Sequence, residues 1–271
     1  VNDANDRLRR VAAMESRSDP RVGVELRVDV ASDQFSGALP AMTRDLSIGG
    51  ACIATSSPLA TQSIRQLVLH LPQGPLRVEA QGCWQAWNPA TSAMLTGVAF
   101  KSVTPSTQDA IWDHVLDVSK ELARFVLRSS ELRDIGIDGA MSLAQVSRLC
   151  AVRPGAAIFQ EGSGNAASSQ SLFILREGSV LIRTRLRDVV ERDIAVVQPG
   201  ELLCGLALFT SAAHAETAVA RSACRLIEID ERAFLYLMQA RPWIAQKVAF
   251  AAARSYARRL RGALETLTLP H

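Results

Sequence analysis

The sequence predicts a mainly β protein with helices: a small antiparallel barrel, a helical connection, and a second strand-rich domain closed by a long helix. Three observations predict it. Short apolar runs, bounded by Gly, Pro, Asn or Ser, fill the chain up to about Lys101. A helical apolar stripe then replaces them. From Cys150 onward new apolar runs are separated by Pro-Gly and Glu-Gly pairs, and a second helical stripe closes the sequence.

In the first part, Val22–Val30 places Val22, Val24, Leu26, Val28 and Val30 on one side, with Gly or charge between them. This period of two suits a half-buried strand. Further strands are predicted at Ala51–Ala54, Gln66–Leu71, Leu76–Trp87 and Ala93–Phe100. Ser56-Ser57-Pro58, Pro72-Gln73-Gly74-Pro75 and Asn88-Pro89 supply the turns. Regular punctuation of this kind suggests a small barrel. Trp84 and Trp87 are read as barrel core rather than as ligand-stacking rings.

Thr104-Pro105-Ser106-Thr107 supplies helix-start chemistry, and Ile111, Val115, Val118, Leu122, Phe125 and Val126 form one stripe. The pattern ends near Gly136-Ile137-Asp138-Gly139, and a second short helix is expected over Leu143–Leu149. In the second half, strands are predicted at Ala156–Gln160, Leu172–Leu175, Val180–Arg185 and Ile194–Val197. A final helix is predicted from Arg241 to Leu267, with Trp243, Ile244, Val248, Ala252, Tyr256, Leu260, Leu264 and Leu267 as its apolar stripe. Periodicity shows a face but not its partner, so this stripe suits either its own barrel or a homodimer. The domains expected are residues 1–104, a helical linker over 105–142, and 143–271.

Composition narrows the function. The 271 residues carry 30 Lys and Arg against 27 Asp and Glu, a net charge of +3, without the concentrated basic patch of bulk nucleic-acid binders. No apolar run approaches a membrane span, and no charged-then-apolar leader is visible. Cys52, Cys83, Cys150, Cys204 and Cys224 are odd in number, lie in apolar stretches and form no Cys-x-x-Cys, which reads as reduced thiols in a cytosolic protein. His70, His114, His214 and His271 have no metal-ligand spacing, and no nucleophile triad or phosphate loop is evident. The expectation is therefore no enzyme, no metal and no cofactor.

One constellation carries chemistry. Arg17-Ser18-Asp19-Pro20-Arg21 precedes the strands, and Asp45-Leu46-Ser47-Ile48-Gly49-Gly50 follows. Guanidinium is planar and permanently charged, and it forks onto phosphate oxygens or onto guanine O6 and N7. Asp45 can accept from guanine N–H groups, the Ser47 hydroxyl can donate or accept, and Gly50 admits positive φ or close ligand approach. Arg-x-x-x-Arg alone recurs at Arg124/Arg128, Arg183/Arg187, Arg221/Arg225 and Arg254/Arg258, whereas Asp-x-Ser-x-x-Gly occurs once. Arg7, Arg9 and Arg10 are read either as further phosphate contacts or as a solvated basic stretch.

Order, separation and strand context together resemble the binding signature of a PilZ domain, the bacterial receptor module for cyclic di-GMP. The resemblance implies a PilZ-type antiparallel barrel whose ligand contacts are Arg17, Arg21, Asp45, Ser47 and Gly50, with Arg9 and Arg10 as additional candidates. From about Leu143 to Leu267 the chain resembles the cyclic nucleotide-binding domain, a jelly-roll barrel with flanking helices. The features that carry this are Pro154-Gly155, Glu161-Gly162, Phe173-Ile174-Leu175 with Gly178, Pro199-Gly200, Leu206-Ala207-Leu208, Thr217, and Phe234 with Leu235. The resemblance breaks at the ligand site. Gly205 stands where the family places a ribose-binding Glu, and His214 stands where it places the phosphate-binding Arg. Losing two such contacts costs several kcal/mol, since charge-assisted bonds contribute roughly 1.5–3 kcal/mol each.

The expected function is a cytoplasmic cyclic di-GMP receptor that turns binding at the first domain into an interdomain or partner-binding change. Its partners would be the ligand, an unidentified downstream protein and a second copy through helices. Neither DNA nor membrane insertion is expected, since no helix-turn-helix follows the last helix. The alternatives are an adaptor with both nucleotide sites silent, or a dual sensor with a second nucleotide in the C-terminal domain.

Overall fold

A computed structural model describes residues 22–88, 93–163, 170–185, 191–204, 207–210 and 212–268. The described residues divide into two compact units, one drawn from 22–121 with 144–148, the other from 122–143 with 149–268. Among them no helix is long and apolar enough to cross a membrane.

In the N-terminal unit six strands close into an antiparallel barrel: β1 (Arg27–Ser32), β2 (Leu39–Ser47), β3 (Gly50–Thr55), β4 (Ile64–Leu71), β5 (Gly74–Asn88) and β6 (Ala93–Lys101). Their order around the barrel is β1-β2-β3-β6-β5-β4. Val28, Val30, Leu46, Ile53, Leu67, Leu69, Val78 and Val98 point inward and are buried. Each such side chain contributes roughly 1.5–3 kcal/mol by leaving water.

The structure departs from the predicted strand over Val22–Val30. Regular strand begins only at Arg27, although Val22, Val24 and Leu26 remain buried as their alternation requires. The cause is Thr43, whose hydroxyl accepts from the Leu26 N–H at 2.8 Å and donates to the Val24 carbonyl. A side chain thus replaces part of the backbone ladder. The segment still follows β2, because Val22 and Leu46 exchange N–H···O bonds of 3.0 and 2.9 Å.

A second departure concerns the tryptophans. Trp84 is 46% exposed and Trp87 is 55% exposed, so neither is barrel core. Val78 and Ala80 point inward, and unbroken alternation would send Trp84 inward too. The β5–β6 register shifts between Gly82 and Trp84, leaving Cys83 as an extra residue. One extra residue reverses the faces beyond it. Gln85 accordingly lies on the face opposite Trp84; it is exposed, and its amide donates to Leu59 O at 2.6 Å and Thr96 Oγ1 at 3.0 Å.

Helix α1 (Pro105–Ser129) starts as predicted, with the Thr107 N–H donating to Thr104 Oγ1 at 3.3 Å. The next helix differs from expectation. It is α2 (Gly136–Val146), and Leu149 lies in strand β7 (Arg148–Val152). Gly136, at φ 77°, makes the turn. Gly139 is a helical residue whose missing side chain admits Ile135 and Trp243.

The C-terminal unit is a jelly-roll-like pair of sheets. Its further strands are β8 (Ala157–Phe159), β9 (Ser171–Glu177), β10 (Val180–Arg185), β11 (Glu191–Val197), β12 (Leu202–Cys204), β13 (Thr217–Ala220) and β14 (Cys224–Asp230). One sheet runs β11-β10-β13-β8 and the other β12-β9-β14-β7. Phe159, Phe173, Leu175, Val180, Ile182, Leu203, Ala218 and Leu226 fill the space between them. Gly155, Gly162, Gly178 and Gly200, the turn glycines of the sequence, all take positive φ.

Short α3 (Ala207–Thr210) precedes β13, and α4 (Glu231–Ala240) is capped by Asp230, whose carboxylate accepts from the Ala233 N–H at 2.8 Å. The long α5 (Pro242–Thr268) buries Ile244, Ala245, Val248, Ala251 and Ala252. Trp243 and Leu260, assigned to that stripe from sequence, are exposed instead. The packing face runs along the small residues Ala245, Ala251, Ala252 and Ser255, which allow close approach.

Candidate functional sites

Of the sequence-derived PilZ-type residues, Asp45, Ser47 and Gly50 are described; Arg17, Arg21, Arg9 and Arg10 lie outside the described residues. Asp45 ends the irregular part of β2, where the register against β3 shifts between Thr43 and Asp45. Its Oδ1 accepts from the Cys52 N–H at 3.2 Å. A carboxylate has room for further donors. Ser47 is 1% exposed, and its hydroxyl donates to the Gly50 carbonyl at 3.0 Å, closing the β2–β3 turn. Its observed role is therefore to shape the bend. Gly50 is not among the positive-φ glycines; a Cβ there would overlap the Val98 carbonyl oxygen of β6. The glycine serves strand-to-strand approach.

The barrel adds a residue that sequence reasoning assigned to the core. Cross-strand pairs link Asp45 to Cys52, Cys52 to Gly97, and Gly97 to Trp84. Directly opposed residues share a face. Asp45 and the half-exposed Trp84 thus lie in one row on the outer surface, across β2, β3, β6 and β5. Gly97 makes this possible, because the Trp84 indole occupies the space that a side chain at 97 would fill. The only signal for this in the sequence is a glycine opposite a tryptophan, which becomes visible once register is known.

The Val22–Leu46 bridge sets where the N-terminal segment meets the barrel. Residue 22 pairs with the residue between Asp45 and Ser47. The chain immediately following Arg17–Arg21 is therefore fixed beside the Asp-x-Ser turn.

In the C-terminal unit, Gly205 lies outside the described residues. His214 is 2% exposed, and its ring stacks on Phe159 with centroids 4.5 Å apart and planes at 14°. Its backbone N–H donates to Ser163 O at 2.6 Å, and its carbonyl accepts from the Gly162 N–H at 2.8 Å. The imidazole is thus built into the barrel packing. Two residues on, the buried Glu216 lies with its Oε1 3.8 Å from Arg259 Nη2 of α5. Burial pushes the Glu216 carboxyl above the ordinary glutamate range, against the smaller opposing pull of Arg259. Arg259 Nη1 donates to the Leu202 carbonyl at 2.9 Å, and the guanidinium carbon lies 5.9 Å from the centre of the Tyr256 ring. Burial, then the charge of Glu216, push the Tyr256 hydroxyl up, with Arg259 acting the other way.

Comparison with known proteins gives two family matches: the PilZ domain over residues 15–117 and the cyclic nucleotide-binding domain over residues 149–241. No curated protein matches the chain. Among solved structures, the chain is similar to a mutant regulatory subunit of a cAMP-independent protein kinase A from Trypanosoma brucei, bound to cAMP. Identity there is 15%, with 68% of this chain and 59% of that one covered, at a TM-score of 0.45. A cyclic nucleotide-binding domain from Methylobacillus flagellatus is 16% identical over 57% of this chain and 86% of its own, at 0.48. The regulatory domain of Toxoplasma gondii PKA with cAMP is 14% identical over 87% and 78%, at 0.48. The chain spans 59% of the length of the trypanosome protein.

Proposed function

For a chain that carries a PilZ domain followed by a cyclic nucleotide-binding domain, we propose a bacterial, cytosolic cyclic di-GMP receptor whose second domain has a degenerate nucleotide site. Arg17 and Arg21 fork onto the phosphates and guanine edges of the messenger. Asp45 accepts from guanine N–H groups, and Trp84 offers an indole face on which a base stacks. No covalent step is needed. The observation that carries this reading is the Val22–Leu46 bridge, which delivers the chain following the paired arginines to the strand end bearing Asp45. Ligand contacts made by the arm then favour one state of the receptor over another, which is all that a binding-driven switch requires.

Calorimetry of the full chain tests both parts together. Cyclic di-GMP is expected to bind and cyclic AMP is not. Low-micromolar binding of cyclic AMP would overturn the degenerate-site reading, and no heat with saturating cyclic di-GMP would overturn the receptor reading. For the second domain, the buried His214 ring and the neighbouring Glu216 carboxylate support degeneracy, since neither reproduces a forked permanent cation.

A homodimer through α5 belongs to the same proposal. Trp243, Phe250, Ala253, Ala257 and Leu260 are all exposed, and their spacings follow a seven-residue repeat. Such a repeat makes a helix seam that pairs with its own copy. Phe250→Glu with Leu260→Glu is expected to convert a dimer to a monomer in sedimentation equilibrium. An unchanged mass would rule this seam out.

A further inference from the structure

The pair formed by Glu216 and Arg259 differs from the other ion pairs of this unit. Most of those are exposed, whereas here the two side chains are 10% and 9% exposed. Among the described residues, Arg259 Nε and Nη2 and Glu216 Oε1 have no hydrogen-bond partner. The guanidinium is anchored on its third nitrogen by Leu202 O. Leu202 is itself a junction. Its carbonyl also accepts from Ser255 Oγ at 3.1 Å, and its N–H donates to Glu131 Oε2 at 3.2 Å. Glu131 in turn pairs with Arg258 of α5. Three polar groups on one side of α5, Ser255, Arg258 and Arg259, thus converge on β12, on Glu131, and on the segment leading into β13.

Burying a guanidinium is unfavourable unless an anion accompanies it. The anion present here is the chain's own Glu216, two residues beyond His214.

We infer that Glu216 closes this site from within: its carboxylate occupies the side of Arg259 that a ligand phosphate would otherwise take. Helix α5 is therefore latched to the barrel with no cyclic nucleotide bound. The latch rests on reading the second domain's site as degenerate, and it adds a mechanism to that reading. A site that has lost its ligand contacts still has to hold its last helix, and an internal carboxylate–guanidinium contact does so permanently. It also makes Arg259 a masked anion receptor, shielded as long as Glu216 is present.

Removing one partner of a buried pair leaves the other charge uncompensated, whereas removing both relieves that penalty. The latch therefore has a thermodynamic signature that simple packing lacks. Hydrogen-exchange mass spectrometry on the full chain would follow peptides from Ala251 to Leu260, with β9 as the internal control for global opening. Glu216→Ala and Arg259→Met are each expected to speed exchange in α5 at least tenfold while β9 is unchanged. The double variant should exchange no faster than the faster single one. If Glu216→Ala also opens β9, Glu216→Gln replaces it and should give a smaller change of the same sign. Wild-type exchange in either single variant, or a double variant whose acceleration is the product of the two, would overturn the latch and leave the degenerate-site reading intact. Conversely, cyclic AMP binding by the wild-type chain would defeat that reading, and the coupling between the two side chains would still be measured independently.

Discussion

Replacing Arg17 and Arg21 together by Ala is expected to weaken cyclic di-GMP binding by about two to four orders of magnitude. Hydrogen bonds from a charged group contribute roughly 1.5–3 kcal/mol each, and at least one is lost per arginine. About 1.4 kcal/mol corresponds to a factor of ten. Lysine at either position should recover only part of the loss, because ammonium supplies charge without the planar fork. The measurement is calorimetry, with the thermal midpoint of each variant as a check on folding. Both arginines are polar and precede the barrel strands in sequence, so the midpoint should stay within error of wild type. An unchanged dissociation constant in the double variant would remove the site from this end of the barrel.

Gly50→Ala is the second large effect, and it acts on stability. The new Cβ would overlap the Val98 carbonyl oxygen, which is backbone of β6 and cannot swing aside as a long side chain would. Overpacking of this kind costs about 1–3 kcal/mol, and a clash with backbone belongs at the upper end. For a barrel of this size that corresponds to a drop of roughly 10–20 °C in the melting midpoint. Differential scanning calorimetry would resolve it, and an unshifted barrel transition would show that β3 and β6 are less closely apposed. The result also bears on the meaning of the motif. Its glycine would be retained for strand packing, and a binding defect in this variant would be secondary to unfolding.

Much of the architecture was legible in the residues because its cause is local. The apolar pattern of Gln66–Leu71, the stripe from Ile111 to Val126 and the turn glycines at 155, 162, 178 and 200 each act within a few residues of themselves. What stayed hidden depends on partners distant in sequence. Thr43 takes over bonds of Leu26 and Val24, seventeen and nineteen residues away, and nothing near Leu26 announces it. Gly136 and Gly139 look alike in sequence, yet one turns the chain and the other makes room for Trp243 in a later helix. The same holds for the candidate sites. Asp45 and Ser47 were visible as a motif, but Trp84 could not be assigned to its face without the pairing register. Arg259 stood out only as one of several basic residues of a long helix until Glu216 was found beside it.

The additional residue in β5 bears on how barrels of this kind diverge. Losing Cys83 would rotate the following positions by half a turn, sending the indole into the interior and turning the Gln85 amide away from Leu59 and Thr96, with every other letter of the sequence unaltered. Gain or loss of an aromatic landing surface would then follow from strand length alone. Two relatives could share a tryptophan in the same alignment column and yet present it to opposite sides of the wall.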